Sequence, residues 1–163
     1  MKTEYDLYQI LIDIIGKGIQ PVLPYQDKYP PPPEDYYTLN IISVRNIGWS
    51  QERQGAASEG GVTVVHDFQK IYTVQFDFYG INAIDNVNRY RHILAVGVRK
   101  NKEISFKSIS EIRNLTELEK NGSFERRYTF DLEFFATDTL IPETGEMYLK
   151  RGKILVINRG NNR

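Results

Sequence analysis

From Tyr72 to Tyr79 the chain alternates without a break. Tyr72, Val74, Phe76 and Phe78 fall on one face, and Thr73, Gln75, Asp77 and Tyr79 on the other. A period of two is a strand with one buried face. Gly80 ends the pattern. Asn82 then stands where a helix wants an N-cap, Asp85 lies in the first turn where a carboxylate suits the macrodipole, and Ala83, Val87, Tyr90 and Leu94 recur at helical spacing. A strand that feeds a helix folding back over its apolar face is therefore the unit around which this chain is built.

A second aromatic strand follows, with Phe124, Arg126, Tyr128, Phe130, Leu132 and Phe134 on one face and Arg127, Thr129, Asp131 and Glu133 on the other. Both strands fit one sheet beneath the helix. Earlier in the chain, Leu7, Ile10, Leu11, Ile14 and Ile15 form an apolar stripe that ends at Gly16 and Gly18; Thr3 and Asp6 approximate a capping box before it. This first helix is expected to pack on the sheet, since its polar face is acidic, which does not suit a membrane surface. The expected architecture is α/β in the α+β sense: a largely antiparallel sheet of four to six strands with the N-terminal helix and the helix over 82–98 on one face. A long hairpin loop and a C-terminal hairpin extension complete it.

Six of the seven prolines lie in residues 21 to 33, interleaved with Tyr25 and Tyr29. Such a run is stiff and extended, and it reads as a connector or as a docking ligand for another domain. Tyr36 to Trp49 reads as a strand covered in part on both faces. Ser50 to Gly61 has no apolar period and reads as a long hairpin loop, with no phosphate-loop spacing among its glycines. Val62 to Gln69 alternates again and is expected to run into the central strand. His66 and Asp67 point to opposite faces of such a strand, which does not suit a His-Asp relay. Ile104 to Leu115 reads as a further strand with Ile109, Ile112 and Leu115 as core points, and Thr116 to Gly122 as a turn. Residues 1–140 are expected to form the main domain, and 141–163 a hairpin turning at Arg151-Gly152 followed by a polar tail. Tyr148, Ile154 and Val156 of that hairpin then need an edge of the parent sheet or a neighbouring subunit.

Composition excludes several functions. The chain has 163 residues, enough for one domain burying about two thirds of its unfolded surface. Its 21 acidic and 21 basic residues cancel, so bulk charge does not direct it to nucleic acid. It has no cysteine, so disulfides, thiolate nucleophiles and cysteine metal sites are absent. No apolar run is long enough to span a bilayer, and no signal-peptide core follows Met1-Lys2, so the protein is expected to be soluble, made in the cytoplasm and without a membrane partner.

Chemistry would require Asp77, Asp131 and Glu133 to converge as a Mg²⁺ site on the polar faces of the aromatic strands. Alternating acids on a strand are equally the mark of a solvated sheet face, and no catalytic residue, metal or cofactor is expected. The informative charges are Arg126 and Arg127 on consecutive strand positions, Arg99 and Lys100 in a basic cluster with Arg89, Arg91 and Lys102, and Asp77. Together with Tyr148, Ile154 and Val156 these are the expected contacts to neighbours, with acids and bases lying in separate patches.

The run YTVQFDFYGINAIDNVN, a basic turn, and SEIRNLTELEKNGSFERRYTFDLEFF resemble the neck or tail terminator proteins of tailed bacteriophages. The matching features are an aromatic strand ending in Tyr-Gly before an Ala-containing helix, an LT-x-L segment, and FE-x-R, here Phe124, Glu125 and Arg127, with Arg126 blurring the alignment. The similarity runs from about Tyr5 to about Phe135. It implies a structural virion protein of the tail or neck, assembled in the host cytoplasm. Its partners would be itself, as a ring, usually of six subunits (a hexamer), the tail tube and sheath proteins, and head-side neck or adaptor proteins, with DNA passing through the lumen without sequence-specific binding. A tail tube or baseplate subunit, a small peptide-binding module using the Pro-Tyr segment, and a metal-dependent nuclease are the alternatives.

Overall fold

Two strands that alternate with the same period and carry aromatic rings on one face bury those rings best by lying side by side, and they do. In the computed structural model, which describes residues 4–23, 35–58, 61–118, 124–140, 146–150 and 153–157, the chain order is α1 (Glu4–Ile15), β1 (Gln20–Val22), β2 (Tyr36–Ser58), β3 (Gly61–Tyr79), α2 (Ala83–Lys100), β4 (Ile104–Ile109), β5 (Arg113–Asn114), β6 (Glu117–Leu118), β7 (Phe124–Glu125), β8 (Arg127–Leu140), β9 (Glu146–Lys150) and β10 (Lys153–Ile157). The sheet runs β1-β2-β3-β8-β4, with β5 on β8 and the β9–β10 hairpin on β3. Tyr72 stacks on Phe134 and Phe76 on Phe130, so residue numbers fall on β8 as they rise on β3 and the pair is antiparallel. Tyr36 on Tyr79 and Tyr37 on Phe78 say the same of β2 and β3. β4 is antiparallel to β8, while β1 is parallel to β2. The α+β fold with a largely antiparallel sheet is as the sequence implies.

The chain divides into two compact units, one of residues 2–45 and 71–136, the other of residue 1, 46–70 and 137–163. The first holds the core. Leu7, Leu11 and Ile15 of α1 and Ala83, Val87, Tyr90, Leu94 and Val98 of α2 are buried with Leu39, Val74, Phe76, Phe78, Phe130, Leu132 and Phe134 of the strands. Fully burying a side chain of the Val, Leu or Phe class is worth about 1.5–3 kcal/mol, so both helices are held by these faces. The helices meet where Gly97 of α2 leaves room for the Ile14 side chain; a Cβ there would collide with it. Tyr8 is also buried, its hydroxyl accepting from Ile41 N at 3.2 Å, which ties α1 to β2.

The start of α2 differs from expectation. Asn82 precedes the helix, but its side chain makes no cap bond. Instead Asp35 accepts from Asn82 N at 3.1 Å, Asn82 Nδ2 at 2.7 Å and Asn86 Nδ2 at 3.3 Å. A carboxylate at a helix N-terminus is favoured by the unpaired N–H groups and the dipole. Gly80, at φ +108, leaves the space that Asp35 occupies.

Further expectations are corrected. The reading of Ser50 to Gly61 as a loop is corrected over 50–58, which continue β2, and at Gly61, where β3 begins; residues 59 and 60 lie outside the described residues. β2 and β3 are hydrogen-bonded neighbours in the sheet, and a strand held by pairing needs no apolar period. The reading of 62–79 as one strand holds. On β2, Tyr36 and Thr38 are half-buried opposite the buried Tyr37 and Leu39, so both faces are covered in part there, whereas Ile42 and Val44 are exposed. Ile104 to Leu115 is two strands broken at Ser110 to Ile112, and Leu115 is exposed. The expected turn after Thr116 contains β6, paired antiparallel with β7. The proline run and Thr3 lie outside the described residues.

In the second unit, Lys70 pairs with Asp138, and Thr139 Oγ1 donates to Asp67 Oδ1 at 2.7 Å. His66 Nδ1 lies 3.7 Å from Glu52; His66 and Asp67 do face different partners. β9 and β10 pair from Glu146↔Ile157 to Lys150↔Lys153, and β9 meets β3 at Val62↔Met147.

Candidate functional site

Because the helices cover the face bearing Tyr37, Phe76 and Phe130, the odd residues of β3 and β8 and the even residues of β2 line a second face. At one end Tyr36 stacks on Tyr79, centroids 4.6 Å apart, and the Arg127 guanidinium lies 5.5 Å from the Tyr79 ring centroid. Arg127 Nη2 donates to Asp77 Oδ2 at 3.2 Å and Nε to Oδ1 at 3.4 Å. Thr38 Oγ1 also donates to Asp77, at 3.5 Å, and Tyr36 Oη donates to Glu125 at 3.2 Å. Burial first, and then the Glu125 carboxylate, pushes the Tyr36 hydroxyl well above the ordinary tyrosine range; burial, and then Asp77, raise that of Tyr79.

Along the same face Gln75 Nε2 donates to Thr129 Oγ1 at 3.2 Å, and Arg113 Nη2 donates to both oxygens of Asp131 at 2.9 and 2.8 Å. Further on, Glu133 collects Lys107, Ser108 Oγ at 2.7 Å, Thr73 Oγ1 at 3.4 Å and Arg45 Nη2 at 3.4 Å. The Lys107 hydrogen bond, and then that of Ser108, holds the Glu133 carboxyl below the usual carboxylate range. Counting in twos brings Ile42 and Val44 of β2, Ile71 of β3 and Phe135 of β8 to this end of the face. Ile42 and Val44 are exposed, and Ile71 and Phe135 half-buried.

Asp77, Asp131 and Glu133 thus share a face without converging, each held by a different cation. Among the described residues no group of three His, Cys, Asp or Glu side chains is close enough to hold a metal ion. The expected separation of acidic and basic patches is also corrected: on this face each acid lies against a base, Asp77 with Arg127, Asp131 with Arg113, and Glu133 with Lys107 and Arg45. The side chain of Asp77 is 9% exposed, so it is a buried member of an ion pair and not a solvated acid.

The remaining expected contacts scatter. Arg126 interrupts the strand between β7 and β8, points outward and donates Nη1 to Ile81 O at 3.1 Å. Arg99 lies 4.5 Å from the Phe106 ring centroid, and both it and Lys100 are exposed in the last turn of α2. Arg91 Nε donates to Ser110 O at 2.9 Å. Tyr148 is paired with Leu155, Ile154 with Leu149 and Val156 with Met147 within the C-terminal hairpin. Sequence reasoning missed Arg45, Lys107, Arg113 and the Tyr36–Tyr79 stack, since only register reveals their partners. It also passed over Trp49, which is 95% exposed.

A family model described as phage neck terminator protein matches residues 5–158. No curated protein matches the chain.

Proposed function

The chain belongs to the phage neck terminator family, with a structural role at the junction of tail and neck in the virion, and from that premise we propose that it closes into a ring of six subunits on the head-proximal end of the tail. There the ring stops polymerisation of the tube, and of the sheath where one exists, and offers its other side to head-side neck proteins. Assembly takes place in the host cytoplasm, and DNA passes through the lumen without being read. Residues 141–163 act as an extension that serves contacts between chains more than the fold of the main domain.

The observation that carries this reading beyond the family match is a sheet whose two helices, among the described residues, both pack on one face. Its other face ends in the uncovered side chains Ile42 and Val44. A monomer gains nothing by exposing them, whereas a closed ring uses two different patches per subunit, each covered by the next copy. The protein is proposed to catalyse nothing, since the acids of the open face are held by Arg127, Arg113, Lys107 and Arg45.

Mass measurement of the purified protein, alone and with isolated tail tubes, tests the proposal. A hexamer, or a monomer that becomes a ring on tube ends, is expected. A protein that stays monomeric and leaves tube ends bare overturns it. Metal-dependent DNA cleavage that is lost in Asp77→Asn would replace assembly with catalysis.

A further inference from the structure

The single tryptophan of this chain is the most exposed large hydrophobic side chain among the described residues, at 95%. Trp49 follows Gly48, whose φ of +65 inside β2 is a left-handed conformation that glycine adopts without strain. Tryptophan is the residue most enriched at the energetic centres of protein interfaces. Three residues on, Glu52 has a side chain 65% exposed, its carboxylate 3.7 Å from the imidazole of His66.

The open sheet face of the main unit supplies what such an anchor lacks. Ile42 and Val44 are 49% and 46% exposed, with Ile71 and Phe135 half-buried on the same face. At this end, among the described residues, Arg45 and Lys107 both lie against one carboxylate, that of Glu133. Arg45 is the freer of the two, its side chain 59% exposed. The anchor thus brings an aromatic ring and an acid; the seat brings aliphatic side chains and a base. Two unlike, complementary patches on one chain are what a head-to-tail contact between identical subunits requires.

We propose that Trp49 of one copy seats on the Ile42–Val44–Phe135 end of the open sheet face of the next copy, with Glu52 of the first meeting Arg45 of the second. The contact rests on the ring reading and gives it its interface.

Because Trp49 is alone, indole fluorescence of the full chain reports this site and nothing else. Emission and acrylamide quenching are followed with concentration beside sedimentation, for wild type, Trp49→Ala and Val44→Lys; far-UV circular dichroism and the thermal midpoint check that both variants fold, as exposed positions should. The expected result is a blue-shifted, quench-protected indole in the assembled wild type, association weakened at least about 30-fold in either variant, and a one-to-one pair that does not close when the two variants are mixed, since the mixture keeps one intact anchor and one intact seat. A wild type that assembles with its indole still fully quenchable, or a Trp49→Ala protein that assembles like wild type, overturns the seat and leaves the ring standing. Folded variants whose mixture forms no pair also overturn it. A wild type that does not associate alone or on tail tubes overturns the ring, and the seat with it.

Discussion

Arg127 and Asp77, fifty residues apart in the chain, meet across β8 and β3 with Nη2 3.2 Å from Oδ2, and the guanidinium that reaches Asp77 also lies over the ring of Tyr79. Asp77 is buried and Arg127 is one third exposed. A carboxylate in that position is tolerated because a planar cation and the Thr38 hydroxyl supply its hydrogen bonds. The pair therefore joins the open face to the fold, and charge changes here act on stability before they act on assembly.

Arg127→Ala is accordingly expected to cost about 1–3 kcal/mol. That is below the usual loss on breaking a fully buried pair, because water reaches the arginine side. Asp77→Asn in the Arg127→Ala background should recover part of this loss, since it removes the stranded charge. Urea denaturation of the four proteins of the cycle measures the coupling; additive losses would mean that the two side chains do not depend on one another.

The elements built on apolar period were legible. Both helices and the strands carrying Phe76 and Phe130 follow from spacing alone, because burial selects which positions are apolar. The distal half of β2 was not legible, since a strand held by backbone pairing leaves no mark in hydropathy. Nor was Asp35 at the head of α2, which reaches Asn82 from 47 residues away, or the pairing of Glu133 with Lys107 and Arg45. Such contacts depend on register, and a slip of one residue would send each of these side chains to the other face.

Phe76 and Phe130 are both fully buried and their ring centroids stand 5.3 Å apart. Replacing either with alanine removes the burial of a large ring and leaves a cavity between the sheet and its helices, a loss of about 3–5 kcal/mol. Domains of this size hold only about 5–15 kcal/mol in all. Each variant should be largely insoluble or melt far below wild type in a calorimeter, and a melting point within a few degrees of wild type would contradict the buried assignment.

The unit that holds both helices includes nothing beyond residue 136. Truncation after residue 140 should therefore leave a protein with a cooperative thermal transition and unchanged α-helical dichroism, while self-association measured by sedimentation falls. Loss of the cooperative transition would place the C-terminal strands in the folding unit itself.

Tyr37 is fully buried among Phe78 and Tyr90, and its hydroxyl makes no hydrogen bond among the described residues. Burial pushes its ionisation well above the ordinary tyrosine range. The folded state thus keeps a proton that the unfolded chain gives up at about pH 10. The group's stabilising contribution is whole below that pH and is lost as the pH rises through and beyond it, because the unfolded chain binds fewer protons there. Tyr37→Phe removes both the ionisation and a buried hydroxyl without a partner, while keeping the ring and its stacking. It is expected to raise stability at neutral pH by about 1 kcal/mol and to flatten the fall in stability above about pH 10. Guanidinium denaturation of wild type and variant at pH 7 and at higher pH checks both parts; a variant less stable than wild type at pH 7 would show that the hydroxyl is satisfied in solution.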